Sequence, residues 1–125
     1  MKILIVDDSL MDRKLLMSVL RKNGVQHEFL EAVDGEEGIK ILSGNYQDIA
    51  LILLDWQMPK MDGIAFMKGV KQVPEVSSIP IIMITASSSE DNRKQAHEVN
   101  PELAGYVVKP FKPETLVDTV RPLIE

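Results

Sequence analysis

Five short apolar runs, each followed by a stretch with helical start signals, leave this chain few ways to fold. The runs are Lys2–Val6, Glu28–Val33, Ile49–Leu54, Ile79–Thr85 and Gly105–Val108. Most are continuous runs of Ile, Leu or Val, the pattern of strands covered on both faces rather than one. The second, EFLEAV, is the most polar and suits a sheet edge.

The intervening segments read as helices. Ser9 with Asp12, and Asp34 with Glu37, have capping-box spacing, the second pair being the closer match. Gly24 stands where a left-handed C-cap is often required. Two weaker patterns cover Ile64–Gln72 and Ser89–Val99. A final helix carries Leu116, Val117, Val120 and Ile124 on one face, with Pro113 near its first turn. Five βα units in strict alternation predict an α/β fold, a doubly wound five-stranded parallel sheet with helices on both faces and right-handed crossovers. Five strands suit the flavodoxin-like order 2-1-3-4-5. Residues 1–125 read as one domain, without linker or repeat.

Composition removes several classes of function. There is no cysteine, so neither disulfides nor a thiolate metal site can form, which fits a reducing cytoplasm. A formal net charge of −5 argues against direct nucleic-acid binding. The N-terminal apolar run ends at Asp7-Asp8, too short for a signal peptide, and no run approaches a membrane span. His27 and His97 stand too far apart, in different contexts, to suggest a histidine metal site.

The chemistry-bearing residues fall at strand ends. Asp7 and Asp8 follow the first run, Asp55 the third and Lys109 the fifth, while Thr85 closes the fourth. All are carboxyl ends, so the sheet gathers them along one rim, where ligands bind in open α/β folds. Three neighbouring carboxylates repel one another, and a hard divalent cation with a preference for oxygen relieves that repulsion. A lysine, a hydroxyl donor and helix N-termini suit a phosphoryl group. A carboxylate can itself be the nucleophile, forming an aspartyl-phosphate.

Singly, each residue has a plainer reading. Asp7 and Asp8 could be helix caps, Asp55 a turn residue, Thr85 a β-branched strand end, Lys109 a solvated lysine and Tyr106 a half-buried aromatic. Asp62-Gly63 reads as a turn, Trp56 as packing or surface cover, and the methionines as core filler in helices and turns. Convergence of the first group on one rim reverses those odds.

The motifs ILIVDDS, LILLDWQMPKMDG, PIIMITA and YVVKPF together resemble the receiver domains of response regulators over the whole chain. The 2-1-3-4-5 order is that of the chemotaxis-type receivers, so it rests partly on this resemblance. The resemblance implies a phosphorylation-dependent switch of a two-component system rather than an enzyme with an external substrate. It implies Asp55 as phosphoacceptor and Mg²⁺ (or Mn²⁺) held by Asp7, Asp8, Asp55 and the backbone carbonyl of Gln57. Thr85 and Lys109 would contact the phosphoryl group, Thr85 and Tyr106 would form the switch, and the bond before Pro110 would be cis. A sensor histidine kinase or phosphotransfer protein would supply the phosphoryl group. A downstream protein would read the face of the fourth helix, fifth strand and fifth helix. The implied protein is cytoplasmic and monomeric, with dimerisation on phosphorylation an open alternative.

One departure stands out. The 24 residues from Thr85 to Lys109 exceed the usual family spacing, and the surplus falls in HEVNPELAGY, where Asn100-Pro101 should end a helix and lengthen a loop. Three other functions fit the residues less well. A phosphate-independent interaction module would not need the intact acidic group. An aspartate-nucleophile phosphatase would place an acid/base aspartate where Gln57 stands. A nucleotide carrier would carry a G-x-G-x-x-G or P-loop, and neither is present.

Overall fold

The computed structural model describes all 125 residues, Met1–Glu125. The elements run β1 (Lys2–Val6), α1 (Leu10–Lys22), β2 (Glu28–Ala32), α2 (Gly35–Asn45), β3 (Ile49–Leu54), α3 (Gly63–Lys71), β4 (Ile81–Thr85), α4 (Glu90–Val99), β5 (Gly105–Val108) and α5 (Pro113–Ile124), with one 3-10 turn at Tyr46–Asp48. All four strand pairings are parallel and the order is β2-β1-β3-β4-β5. The polar EFLEA strand lies at an edge, as its composition required. No helix is long and apolar enough to cross a membrane.

Side chains alternate across a strand, so an uninterrupted apolar strand feeds two cores. Leu4, Val6, Ile52, Leu54 and Met83 join Phe66, Met67 and Ala96 under α2, α3 and α4. Ile3, Ile5, Leu51, Leu53, Ile82 and Ile84 join Leu16, Leu20, Leu116 and Val120 under α1 and α5. The two clusters hold 16 and 15 buried residues, so neither face of the sheet is left for solvent.

Caps explain where helices begin. Ser9 Oγ accepts from the Asp12 N–H at 3.2 Å, but the Asp12 carboxylate does not reach back, so the box is only half formed. At α2, Asp34 accepts from the Glu37 N–H at 2.8 Å, and Glu37 accepts from the Val33 N–H at 3.2 Å. β2 stops at Ala32, and Val33 gives its N–H to this cap. Gly24 has φ +89°, the left-handed cap expected of it.

The structure corrects four boundary or role expectations. Asp62-Gly63 is more than a turn: Asp62 caps α3 through the Ala65 N–H at 2.8 Å, which starts that helix at Gly63, and Gln72 is its C-cap rather than its last residue. Ser89 is likewise the cap of α4 rather than its first residue. β4 begins at Ile81, because Ile79 closes a turn onto Val76 and Pro80 has no N–H for the ladder. Met83 is a fully buried strand residue, not helix or turn filler.

The Asn100-Pro101 break falls where expected, yet the loop is compact. Asn100 is buried, its carboxamide oxygen accepts from the Glu102 N–H at 3.1 Å, and its carbonyl accepts from the Leu103 N–H at 3.0 Å.

Two glycines in helices should respond oppositely to alanine. A Cβ at Gly44 meets nothing within 4 Å, whereas at Gly63 it would fall against the Asp55 carbonyl. Gly44→Ala should stabilise the protein by about 0.5–1 kcal/mol in chemical denaturation. Gly63→Ala should cost about 1–3 kcal/mol, the penalty of overpacking a backbone contact.

Candidate functional site at the carboxyl edge of the sheet

The sheet's hydrogen bonding continues one residue past the strands and so fixes the backbone of the site. The Asp7 N–H donates to Ala32 O at 3.1 Å, Asp55 N–H to Val6 O at 2.9 Å, and Lys109 N–H to Thr85 O at 2.8 Å. Residues 102 positions apart in the chain therefore come together along one edge of the sheet. The Lys109-Pro110 bond is cis.

Asp7, Asp8 and Asp55 each bring a carboxylate oxygen within 4.8 Å of the others. Asp7 is buried, Asp55 half-buried and Asp8 exposed, so the group opens to solvent on one side. Asp7 is the most tightly held. Its Oδ1 accepts from the Ser9 N–H at 2.9 Å and its carbonyl accepts from Arg13 Nη1 at 2.7 Å. Arg13 is itself buried and bonds Glu31 on β2 at 3.0 Å, tying the first loop to the sheet. Asp55 Oδ1 accepts from the Trp56 N–H at 2.8 Å.

Lys109 is the cation among these acids. Its Nζ lies 2.9 Å from Asp7 Oδ2, 2.9 Å from Asp12 Oδ2 and 3.7 Å from Asp55 Oδ2. Burial is the largest single influence on Lys109 and lowers its pKa, but the Asp12, Asp7 and Asp55 carboxylates together outweigh it and raise the net value. Burial likewise dominates at Asp55, lifting its pKa from 3.8 to about 6; Asp7 and Asp8 push the same way, while Lys109 and the Trp56 N–H oppose. One ammonium group thus falls short of neutralising the acids around it. An oxygen-only ligand set with surplus negative charge is what a hard divalent cation needs, so the residues present fit Mg²⁺.

Beside the trio is a cavity of about 380 Å³ lined by Asp12, Asp55, Gln57, Thr85, Ala86, Ser87 and Lys109. Gln57 is exposed in the loop after Asp55. Thr85 is buried, and its Oγ1 accepts from the Ser87 N–H at 3.3 Å. Ser87 then fans out: its carbonyl accepts from the Tyr106 hydroxyl at 2.9 Å and its Oγ from Asn92 Nδ2 at 2.7 Å. Arg93 covers the Tyr106 ring at 4.6 Å. Burial raises the Tyr106 pKa, against the opposing effects of Ser87 and Arg93. Trp56 packs against the core beneath α3, in keeping with its plain reading.

All the rim residues singled out in the sequence, Asp7, Asp8, Asp55, Gln57, Thr85 and Lys109, border this one region, and Tyr106 reaches it through Ser87. Asp12, Ser87, Arg93 and Arg13 were missed as site residues. For Asp12 a signal was available in D-D-S-x-x-D, which places a third acid one helical turn beyond Asp8. For Ser87, Arg93 and Arg13 no local pattern exists, because their partners lie on other elements.

Comparison with known proteins identifies the family. Residues 3–121 match the response regulator receiver domain, and the chain belongs to that family. It is 34% identical over its whole length to the chemotaxis protein CheY of Pseudomonas aeruginosa, covering 97% of that protein. Its backbone resembles the chemotaxis protein CheY4 of Vibrio cholerae, with TM-score 0.85 and 32% identity over 98% of each chain. It also resembles the Mn²⁺-bound form of the response regulator Rcp1, with TM-score 0.78 and 31% identity over 98% of this chain and 90% of that one. Other curated relatives are longer: the chain spans about half (51%) of the phosphate regulon transcriptional regulatory protein PhoB of Escherichia coli, at 34% identity over 98% of this chain. The chain is therefore a receiver domain, the class of domain that serves as a phosphorylation-dependent switch in two-component signalling.

The raised Asp55 pKa has a consequence for stability. Folding strengthens proton binding at Asp55, so its ionised form destabilises the native state above about pH 6, and that cost fades as pH falls toward 4. Asp55→Asn should therefore stabilise the metal-free protein at pH 7 by about 1–3 kcal/mol. The gain should shrink toward zero near pH 4, which urea titrations at the two pH values would read.

Proposed function

We propose that Asp55 accepts the phosphoryl group, with Mg²⁺ held by Asp7, Asp8, Asp55 and the Gln57 carbonyl. The observation that carries this reading is one buried-edge carboxylate, Asp55, facing both a polar cavity and Lys109 Nζ at 3.7 Å. That the related response regulator Rcp1 has an Mn²⁺-bound form supports a divalent cation as a ligand here. When bound, the cation would offset charge on the acids and on the transferring phosphoryl oxygens.

Oδ1 of Asp55 is engaged by the Trp56 N–H, leaving Oδ2, on the Lys109 side, as the attacking oxygen. An Asp55 Oδ2–P bond forms as the donor's P–N bond breaks, and the donor imidazole nitrogen keeps that electron pair. Lys109 then pairs with the new phosphoryl oxygens and Thr85 can donate its hydroxyl to one of them. Return to rest is hydrolysis of the acyl phosphate at the same site. The donor is a sensor histidine kinase or phosphotransfer protein.

Output follows from the Ser87 connections. If the Thr85 hydroxyl turns toward the phosphoryl group, the Ser87 N–H loses its acceptor. Ser87 also holds the Tyr106 hydroxyl and Asn92 of α4, so its displacement would alter the α4–β5–α5 face that a downstream protein reads. Both arrangements must lie within a few kcal/mol for one phosphate to shift the population.

Acetyl phosphate with Mg²⁺ should add one base-labile phosphate, seen by mass spectrometry, and Asp55→Asn should abolish it. A base-stable phosphate retained in that variant would point to a hydroxyl acceptor and sink the assignment. Thr85→Ala should still accept phosphate, yet phosphorylation should move the amide resonances of residues 86–111 much less than in wild type. Full-sized shifts in the variant would exclude the Thr85–Ser87–Tyr106 route.

A further inference from the structure

Asp12 enters α1 as an ordinary third helical residue, its backbone N–H capped by Ser9 Oγ at 3.2 Å. Its carboxylate does something a cap does not require. Asp12 Oδ2 lies 2.9 Å from Lys109 Nζ, 97 positions away, and Asp12 forms part of the wall of the cavity that holds Asp55. The lysine is thus closer to Asp7 and Asp12 than to Asp55, at 2.9, 2.9 and 3.7 Å.

The two close partners are not equivalent. Asp7 belongs to the acidic trio and Asp12 does not. A divalent cation on the trio would offset the Asp7 charge and leave Asp12 as the lysine's remaining anionic partner. A phosphoryl group on Asp55 must then compete with Asp12 for the same ammonium.

We propose that Asp12 is a positioning residue that holds the Lys109 ammonium away from Asp55 and so sets how strongly the phosphoryl group is gripped. The proposal rests on the reading of this site as a phosphoryl acceptor. Its size is bounded by exposure: the Asp12 side chain is 40% exposed and that of Lys109 18%. A pair of this kind supports a factor of roughly two to five, enough to tune the switch and too little to block it.

The test uses beryllofluoride, a phosphoryl mimic, at saturating Mg²⁺, and Mg²⁺ alone, each read by Trp56 fluorescence. Asp12→Asn keeps the cap, which uses the backbone N–H, and removes only the charge. Its dissociation constant for beryllofluoride should fall roughly two- to fivefold. Its affinity for Mg²⁺ alone should weaken, because a nearby negative charge is gone and Lys109 turns to Asp7 and Asp55. Asp12→Glu should stay near wild type in both. Opposite signs for the two ligands separate this role from a loosened site, which would weaken both. Beryllofluoride binding that is unchanged or weaker in Asp12→Asn, or equally improved in Asp12→Glu, overturns the proposal. A wild type that binds Mg²⁺ but no beryllofluoride would sink the acceptor reading itself, a result distinct from either.

Discussion

Everything at the working edge of this protein depends on like charges held together by an apolar sheet. Asp7 and Asp55 cannot separate, because their backbone N–H groups are bonded to Ala32 and Val6 and the residues before them are fully buried. The cost therefore appears at Asp55, whose pKa is pushed up first by burial and then by the Asp7 and Asp8 charges, rather than as a widened site. An interior of two apolar clusters supplies the rigidity that makes this arrangement tolerable, since a cost of a few kcal/mol is small beside the burial of so many side chains. The same stored repulsion is what a cation would relieve and what a phosphoryl group would rearrange.

Lys109 is the pivot of that rearrangement. It answers to three carboxylates from three elements, and no one of them satisfies it alone. A group so placed responds to any change of charge at the rim, which is a reasonable physical basis for a switch. Thr85 offers a second route out of the site through Ser87, which touches Tyr106 and α4 at once. In the proposed switch, a charge event at Asp55 would be passed to Tyr106 and α4 by these short contacts.

The legible parts of the sequence were those set by local rules. Apolar runs stop at Val6, Leu54, Thr85 and Val108, so the sequence alone places the residues that carry chemistry at strand ends on one rim. The polar β2 pattern marked an edge, but not which neighbour it pairs with; the full strand order leaned on family resemblance. Asp62 and Asp12 show the opposite failure. Each obeys a capping pattern, yet one, read only as part of a turn, caps the helix that follows it, and the other sends its carboxylate across the rim to Lys109. Arg13, Asn100 and Ser87 were silent because their roles are made by tertiary neighbours: Asp7 O, Met67 with the turn backbone, and Tyr106. The surplus length near Asn100 was visible, while its folding into a compact turn around a buried carboxamide was not.

The central proposal is that Asp55 is a buried, crowded carboxylate whose charge a divalent cation would offset. Carbon-detected NMR titration of the aspartate side chains, with and without Mg²⁺, tests it most directly. The account predicts that Asp55 titrates near pH 6 in the metal-free protein. Saturating Mg²⁺ should move that inflection well down, as the cation favours the ionised form. An Asp55 that titrates at its ordinary value near 3.8 without metal, and does not respond to Mg²⁺, would contradict the account.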